Sequence, residues 1–309
     1  MGEAGAELNP PLSRAGFFPM TAPAIFDRAL LRRRKATALA GHAFPDFLHR
    51  LAAEEIAFRL GTMTRTFGRT AVFGAAVAPV REVLAGSRIG EPILADGVEV
   101  PGLDLVADLE MPPFAAESLD AVVICLGLED VNDLPGALTQ FRRALKPDGL
   151  FLAVMLGGET LGELRQSWLA AETEITGGVT PRVAPFADMR DLGSLLQRAG
   201  LALPVADVDR HVARYPDALA LMRELKAMGL ANPLTQRART PVTPALLARA
   251  AAEYHARFAD TDGRVRATFE LVTLTAWAPS DTQQKPLRPG SAKARLAEAL
   301  GTEERKLRR

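Results

Sequence analysis

Between residues 70 and 155 the chain alternates short apolar runs with helical stretches, and this alternation constrains its fold more than any other feature. The runs are 70–74 (TAVFG), 91–96 (EPILAD), 103–106 (LDLV), 121–126 (AVVICL) and 150–155 (LFLAVM). Each is about one strand long, and AVVICL and LFLAVM have no polar residue to turn towards water. Strands buried on both faces read in this way, and they occur in parallel sheets covered by helices on either side. Parallel neighbours also need long crossovers, and the helical stretches 77–84 and 134–145 supply them. The chain is therefore expected to fold as an α/β domain around a mostly parallel sheet.

The flanks complete this pattern. Residues 25–35 (IFDRALLRRRK) and 47–60 read as helices ahead of the first strand. Lys146-Pro147-Asp148-Gly149 is a turn signal that stops the helix before it. Helices are expected at 160–173 and 188–199, with a loop at 177–185 between them. A sixth strand follows at 201–208. Helices at 215–228 and 244–258 form an insertion, a helical lid at about 209–262. The alternating, β-rich stretch 268–277 (TFELVTLTAW) reads as the last strand. Residues 1–24 read as a disordered tail, 25–278 as the domain, and 279–309 as a loose tail with a short amphipathic helix at 292–300.

Composition narrows the function. Lys plus Arg and Asp plus Glu both number 37, so the zero net charge exerts no overall pull on nucleic acid or an anionic membrane. No run approaches the ~20 apolar residues of a membrane span. A single cysteine, Cys125, excludes an internal disulfide and argues against a cysteine zinc site. It lies in the most apolar strand and reads as core rather than nucleophile. The four histidines, His42, His49, His211 and His255, show no metal-ligand spacing with acids. Glu3 and Glu7 precede the first arginine, and no basic start leads into an apolar run. The N-terminus thus reads neither as a secretory signal nor as an organellar presequence, and a cytosolic location is expected. The basic run Arg32-Arg33-Arg34-Lys35 suits either a phosphate contact or a solvated helix face.

In an open parallel sheet, ligands sit outside the carboxyl ends of the strands. Gly74 ends the first strand, and Asp96 ends the second, 22 residues later. A carboxylate at that spacing accepts hydrogen bonds from both hydroxyls of a ribose. Asp108, after the third strand, is placed to accept from an adenine amino group. Together the two acids describe a pocket for an adenosine-containing ligand.

Long stretches of the chain resemble the methyltransferase-domain family of mitochondrial complex I assembly factor 5 and its bacterial relatives. They include IFDRALLRRR, ADLEMPPFAAESLDAVV, VNDLPGAL, LKPDGLFLAVMLGGETLGELR, AETEITGGVTPRVAPF, YPDALALMRELKAMG and DGRVRATFELVTLTAW. A more distant similarity is to the malonyl-carrier-protein methyltransferases of biotin synthesis. The resemblance implies a class I methyltransferase fold, a Rossmann-like sheet of seven strands whose last strand is antiparallel. It implies S-adenosyl-L-methionine as cofactor, held by Gly74, by Asp96 at the ribose, and by Asp108 with Leu109 at the adenine edge. It also implies a complex I subunit as partner, and arginine hydroxylation rather than methyl transfer.

Two departures from the family pattern fall on the same pocket. Where the family loop reads acid-Leu-Gly-x-Gly-x-Gly, this chain reads Val72-Phe73-Gly74-Ala75-Ala76-Val77-Ala78. Where relatives carry His-Trp before Val-Asn-Asp-Leu-Pro, it carries Glu129-Asp130. Asp96 and Asp108 favour an enzyme that uses the cofactor pocket, whereas the altered loop favours a non-catalytic assembly protein. No side chain marks a general base for either chemistry.

Overall fold

The computed structural model describes residues 24–41, 44–90, 92–283 and 301. The tail readings for 1–23 and 284–309, the helix expected at 292–300, and His42 lie outside the described residues, apart from residue 301.

Seven strands form one sheet: β1 (Thr70–Phe73), β2 (Pro92–Asp96), β3 (Leu105–Val106), β4 (Leu119–Cys125), β5 (Leu145–Leu156), β6 (Ala202–Tyr215) and β7 (Val265–Trp277). Their spatial order is β3-β2-β1-β4-β5-β7-β6. Strands β1 to β5 pair in parallel, and β7 runs antiparallel to both of its neighbours. This is the class I methyltransferase sheet. The order reverses between β1 and β4, so the crevice at their carboxyl ends is where a ligand belongs.

Alternate side chains of each central strand feed two cores. Val72, Val123, Cys125, Leu152 and Val154 face α2 (Phe47–Thr62), α3 (Ala78–Leu84), α5 (Gly162–Thr176) and the pair α7 (Ala218–Ala227) and α8 (Pro244–Phe258). Ala71, Phe73, Val122, Ile124, Phe151 and Ala153 face α4 (Leu134–Ala144) and α6 (Met189–Arg198). The first helix, α1 (Arg28–Leu39), touches the first core only through Leu39 at its end. Phe26 and Leu234 instead join a small third cluster beside it, with Ala184.

The sixth strand departs from expectation. It runs to Tyr215, so the helical lid does not begin at 209; helix starts at Ala218 and ends at Phe258. Residues 209–215 pair with 265–271 as a long antiparallel ribbon. They form a sheet edge with mostly half-buried or exposed side chains (DRHVARY), so no apolar pattern announces the strand. The predicted turn at Lys146–Gly149 is taken into the start of β5, with Asp148 at φ +61°. Thr160, where the helix over 160–173 was expected to start, bonds through Oγ1 to the backbone of Glu270 on β7, and the helix itself starts at Gly162.

Candidate functional site

Gly74, Asp96, Asp108 and Leu109 all line one cavity of about 460 Å³ at the carboxyl ends of β1, β2 and β4. Gly74 sits at φ +87°, and a Cβ there would lie 2.2 Å from the carbonyl oxygen of Cys125. The glycine is thus required by the strand packed against it, whatever the cavity holds. The chain after Gly74 turns away: Ala75, Ala76 and Val77 are buried and contribute nothing to the cavity wall. The Ala76 N–H is spent on Asp96, at 3.2 Å from Oδ2.

Asp96 is almost completely buried, and both its oxygens are taken by one cation. Lys35 Nζ lies 2.8 Å from Oδ1 and 2.9 Å from Oδ2. Asp108 is occupied in the same way. Arg28 reaches its Oδ1 at 2.6 Å, and also Glu110 at 2.9 Å, while Arg32 reaches its Oδ2 at 3.2 Å. Arg28, Arg32 and Lys35 stand four and then three residues apart, which puts them on one helical face. The basic run read as a phosphate contact or solvated face therefore does something else: part of it points into the cavity. That i, i+4, i+7 spacing, starting from Arg28, was the available sign of it.

Three of the distinctive motifs hold α1 in this position. Asn132 of VNDLP accepts from the Phe26 N–H through Oδ1 and donates to the Phe26 carbonyl through Nδ2. Arg34 Nη1 donates to the carbonyls of Ala231 and Asn232, at 2.7 Å each. Gly229, which ends KAMG at φ +79°, lets α1 approach so closely that a Cβ would meet Lys35 Cα and N at 3.3 Å.

A second cavity, of about 230 Å³, lies beside the first. Their walls share Leu31, Glu129, Asp130, Leu156 and Leu230. Glu129 is buried and accepts from the Gly127 N–H at 2.8 Å. Burial pushes both carboxyls up, and the Glu129 charge helps push Asp130 up to about 8. His49 also lines the first cavity, a residue with no sequence signal beyond its apolar helix. It is buried, its Nδ1 has no hydrogen-bond partner, and burial followed by the Lys35 charge pushes its pKa down to about 3. Cys125 is buried in the core, where desolvation pushes its thiol up and leaves it inert. Among the described residues no cluster of three or more metal-ligating side chains occurs. No helix among them is long and apolar enough to cross a membrane.

Comparison with known proteins follows the same lines. A family model described as "Methyltransferase domain" matches residues 81–153, a span that starts beyond the altered loop. The mitochondrial arginine-hydroxylase NDUFAF5 of Danio rerio is 35% identical, covering 89% of this chain and 89% of its own. Human NDUFAF5 is 36% identical, over 89% of this chain and 83% of its own. This chain belongs to the NDUFAF5 family. A malonyl-[acyl-carrier protein] O-methyltransferase of Laribacter hongkongensis is 40% identical over 60% of this chain and 59% of that relative.

Membership in the NDUFAF5 family corrects one expectation. The cytosolic location read from the lone cysteine and the N-terminus is overturned by relatives whose names place them in mitochondria. One cysteine reports that no internal disulfide forms, and it is equally at home in any reducing compartment.

S-adenosylmethionine, the cofactor that the fold implies, does not fit this pocket as it stands. At the nucleoside end, both oxygens of the acid that would take the ribose diol are engaged by Lys35. At the methionine end, the loop that would cradle the amino acid is buried against Asp96 and away from the cavity. The sheet of the NDUFAF5 family is kept, and the two acids expected to meet a ligand are ion-paired within the chain.

Proposed function

We propose that this chain serves NADH:quinone oxidoreductase assembly as a polypeptide-binding member of the NDUFAF5 family that does not use S-adenosylmethionine. The observation that carries this reading is the Lys35–Asp96 pair, which satisfies both oxygens of the ribose acid from within the chain. The altered loop supports it, since Ala75, Ala76 and Val77 are buried rather than opened to a ligand.

The family resemblance supplies the partner, a complex I subunit. The second cavity supplies a place for a side chain of that partner. Its wall is mainly apolar, with Leu161, Leu164, Trp168 and Phe269, and it ends at the carboxyls of Glu129 and Asp130.

Calorimetric titration of the purified protein with S-adenosylmethionine tests the cofactor half of this reading. No heat at millimolar ligand is expected, and a saturable binding curve would overturn it. A deletion strain tests the assembly half. It should lose assembled NADH:quinone oxidoreductase, and normal levels of the complex would count against the assignment.

A further inference from the structure

The first cavity is closed at its ribose acid yet remains open beside it. Phe73, Val98, Val106 and Leu109 form apolar walls that suit a flat base, and Asp108 stands at their rim. A carboxylate has about four acceptor positions, and the contacts Asp108 makes with Arg28, Arg32 and the Glu110 N–H leave one free. Asp96 keeps no more than that: the Lys35 ammonium spans both its oxygens and the Ala76 N–H takes a third position, which leaves one where the two hydroxyls of a ribose need two. The obstacle to a nucleoside is therefore one side chain on one helix.

That helix is anchored mainly by polar contacts. Only Leu30 of α1 is buried, Leu31 and Leu39 pack half-buried, and the remaining attachments are polar: to Asn132, to the segment 229–237, and through Arg28, Arg32 and Lys35 to the acids of the cavity. Elements fixed by few buried apolar contacts open at low cost compared with the core.

We propose that Lys35 is a built-in occupant of the ribose acid. When α1 shifts, the pocket admits adenine nucleosides that lack an amino-acid tail, of the 5′-methylthioadenosine kind. The tail is excluded because the loop after Gly74 is packed shut, whereas the nucleoside half is merely covered. A ribose diol and the ammonium compete for the same two oxygens, so ligand binding and α1 docking oppose each other. This inference rests on the reading that the chain does not use S-adenosylmethionine.

The test is calorimetry on the full chain with 5′-methylthioadenosine and, separately, S-adenosylmethionine. Lys35→Met keeps the aliphatic stem and removes the cation; Lys35→Arg keeps the cation. Lys35→Met should bind 5′-methylthioadenosine at least about tenfold more tightly than the unaltered chain or Lys35→Arg, and should still ignore S-adenosylmethionine. Should Lys35→Met fail to fold, Arg34→Ala loosens α1 without touching Asp96 and should raise nucleoside affinity in the same direction.

Equal nucleoside affinity in all forms, or none in any, would overturn the gate and leave the proposed function standing. Weaker binding in Lys35→Met than in the unaltered chain would also overturn it, by making Lys35 a ligand contact. Binding of S-adenosylmethionine by the unaltered chain would instead sink the reading on which the inference rests.

Discussion

At the scale of single residues, the pocket is governed by where charges can be satisfied. Asp96 is buried with an internal counter-ion, the arrangement a low-dielectric site demands of a buried charge. Gly74 is a steric necessity: a Cβ at φ +87°, 2.2 Å from a carbonyl oxygen, has nowhere to go. Gly74→Ala should cost well over ~1 kcal/mol in denaturant unfolding, and a loss below that would show that β4 can give way. Asp130 and His49 make opposite pH signatures. Asp130 holds its proton to about 8 when folded and releases it near 3.8 when unfolded, so its contribution is full below 3.8 and is lost as pH rises towards 8. His49 stays neutral down to about 3 against 6.5 unfolded, so its contribution is full above 6.5 and is lost as pH falls towards 3. In Asp130→Asn the Tm should gain on the unaltered chain steadily from pH 4 to pH 8. A pH-independent difference would show that Asp130 titrates normally. Asp96, Asp108 and Gly74 were legible as strand-end residues, because a parallel sheet fixes where its carboxyl ends lie. Lys35, Arg28 and His49 were not, because nothing local to a helix says which strand its face will meet.

At the scale of elements, α1 is the part whose placement decides what the pocket does. Its sequence shows only a basic, weakly apolar helix. Its docking depends on the Asn132 clamp, on Arg34, and on the close approach at Gly229. Gly229→Ala adds a Cβ at φ +79° against the Lys35 backbone, so it should lift α1 locally. Amide exchange in residues 28–39 should quicken by at least about tenfold, equivalent to ~1.4 kcal/mol of local opening. Strands β4 and β5 should keep their protection. Unchanged exchange in α1 would mean that it is held by more than this seam. The β6 edge teaches the complementary lesson. Residues 209–215 are mostly polar and pair only with β7, so periodicity does not report them, whereas the pairing in space does. The buried strands β1, β4 and β5 were legible for the opposite reason, being apolar on both faces.

At the scale of the whole molecule, one sheet separates two cores that share few partners. Ile56 on α2 and Phe141 on α4 are each fully buried on opposite faces. Ile56→Ala should cost about 2–5 kcal/mol and Phe141→Ala about 3–5 kcal/mol. Because the sheet lies between them, the double variant should lose the sum within about 0.5 kcal/mol. A clear departure from additivity in urea unfolding would show that the two cores are coupled through the strands. The two ligand-sized cavities lie together at one end of this sheet and meet at Glu129 and Asp130, so a change at this pair reaches both.

The sequence by itself determined the fold class, the order of the central strands' roles, and the acids at their carboxyl ends. Those follow from short-range rules: apolar runs must be buried, parallel strands need crossovers, and ligands gather where the crossovers diverge. The family motifs narrowed this to one lineage. Only the tertiary structure decided what the acids do, because that depends on partners 61 and 76–80 residues away in the chain. Charge pairing across such distances has no local periodicity. It is set by which helix face is laid over the sheet, and here that face carries three cations into the pocket.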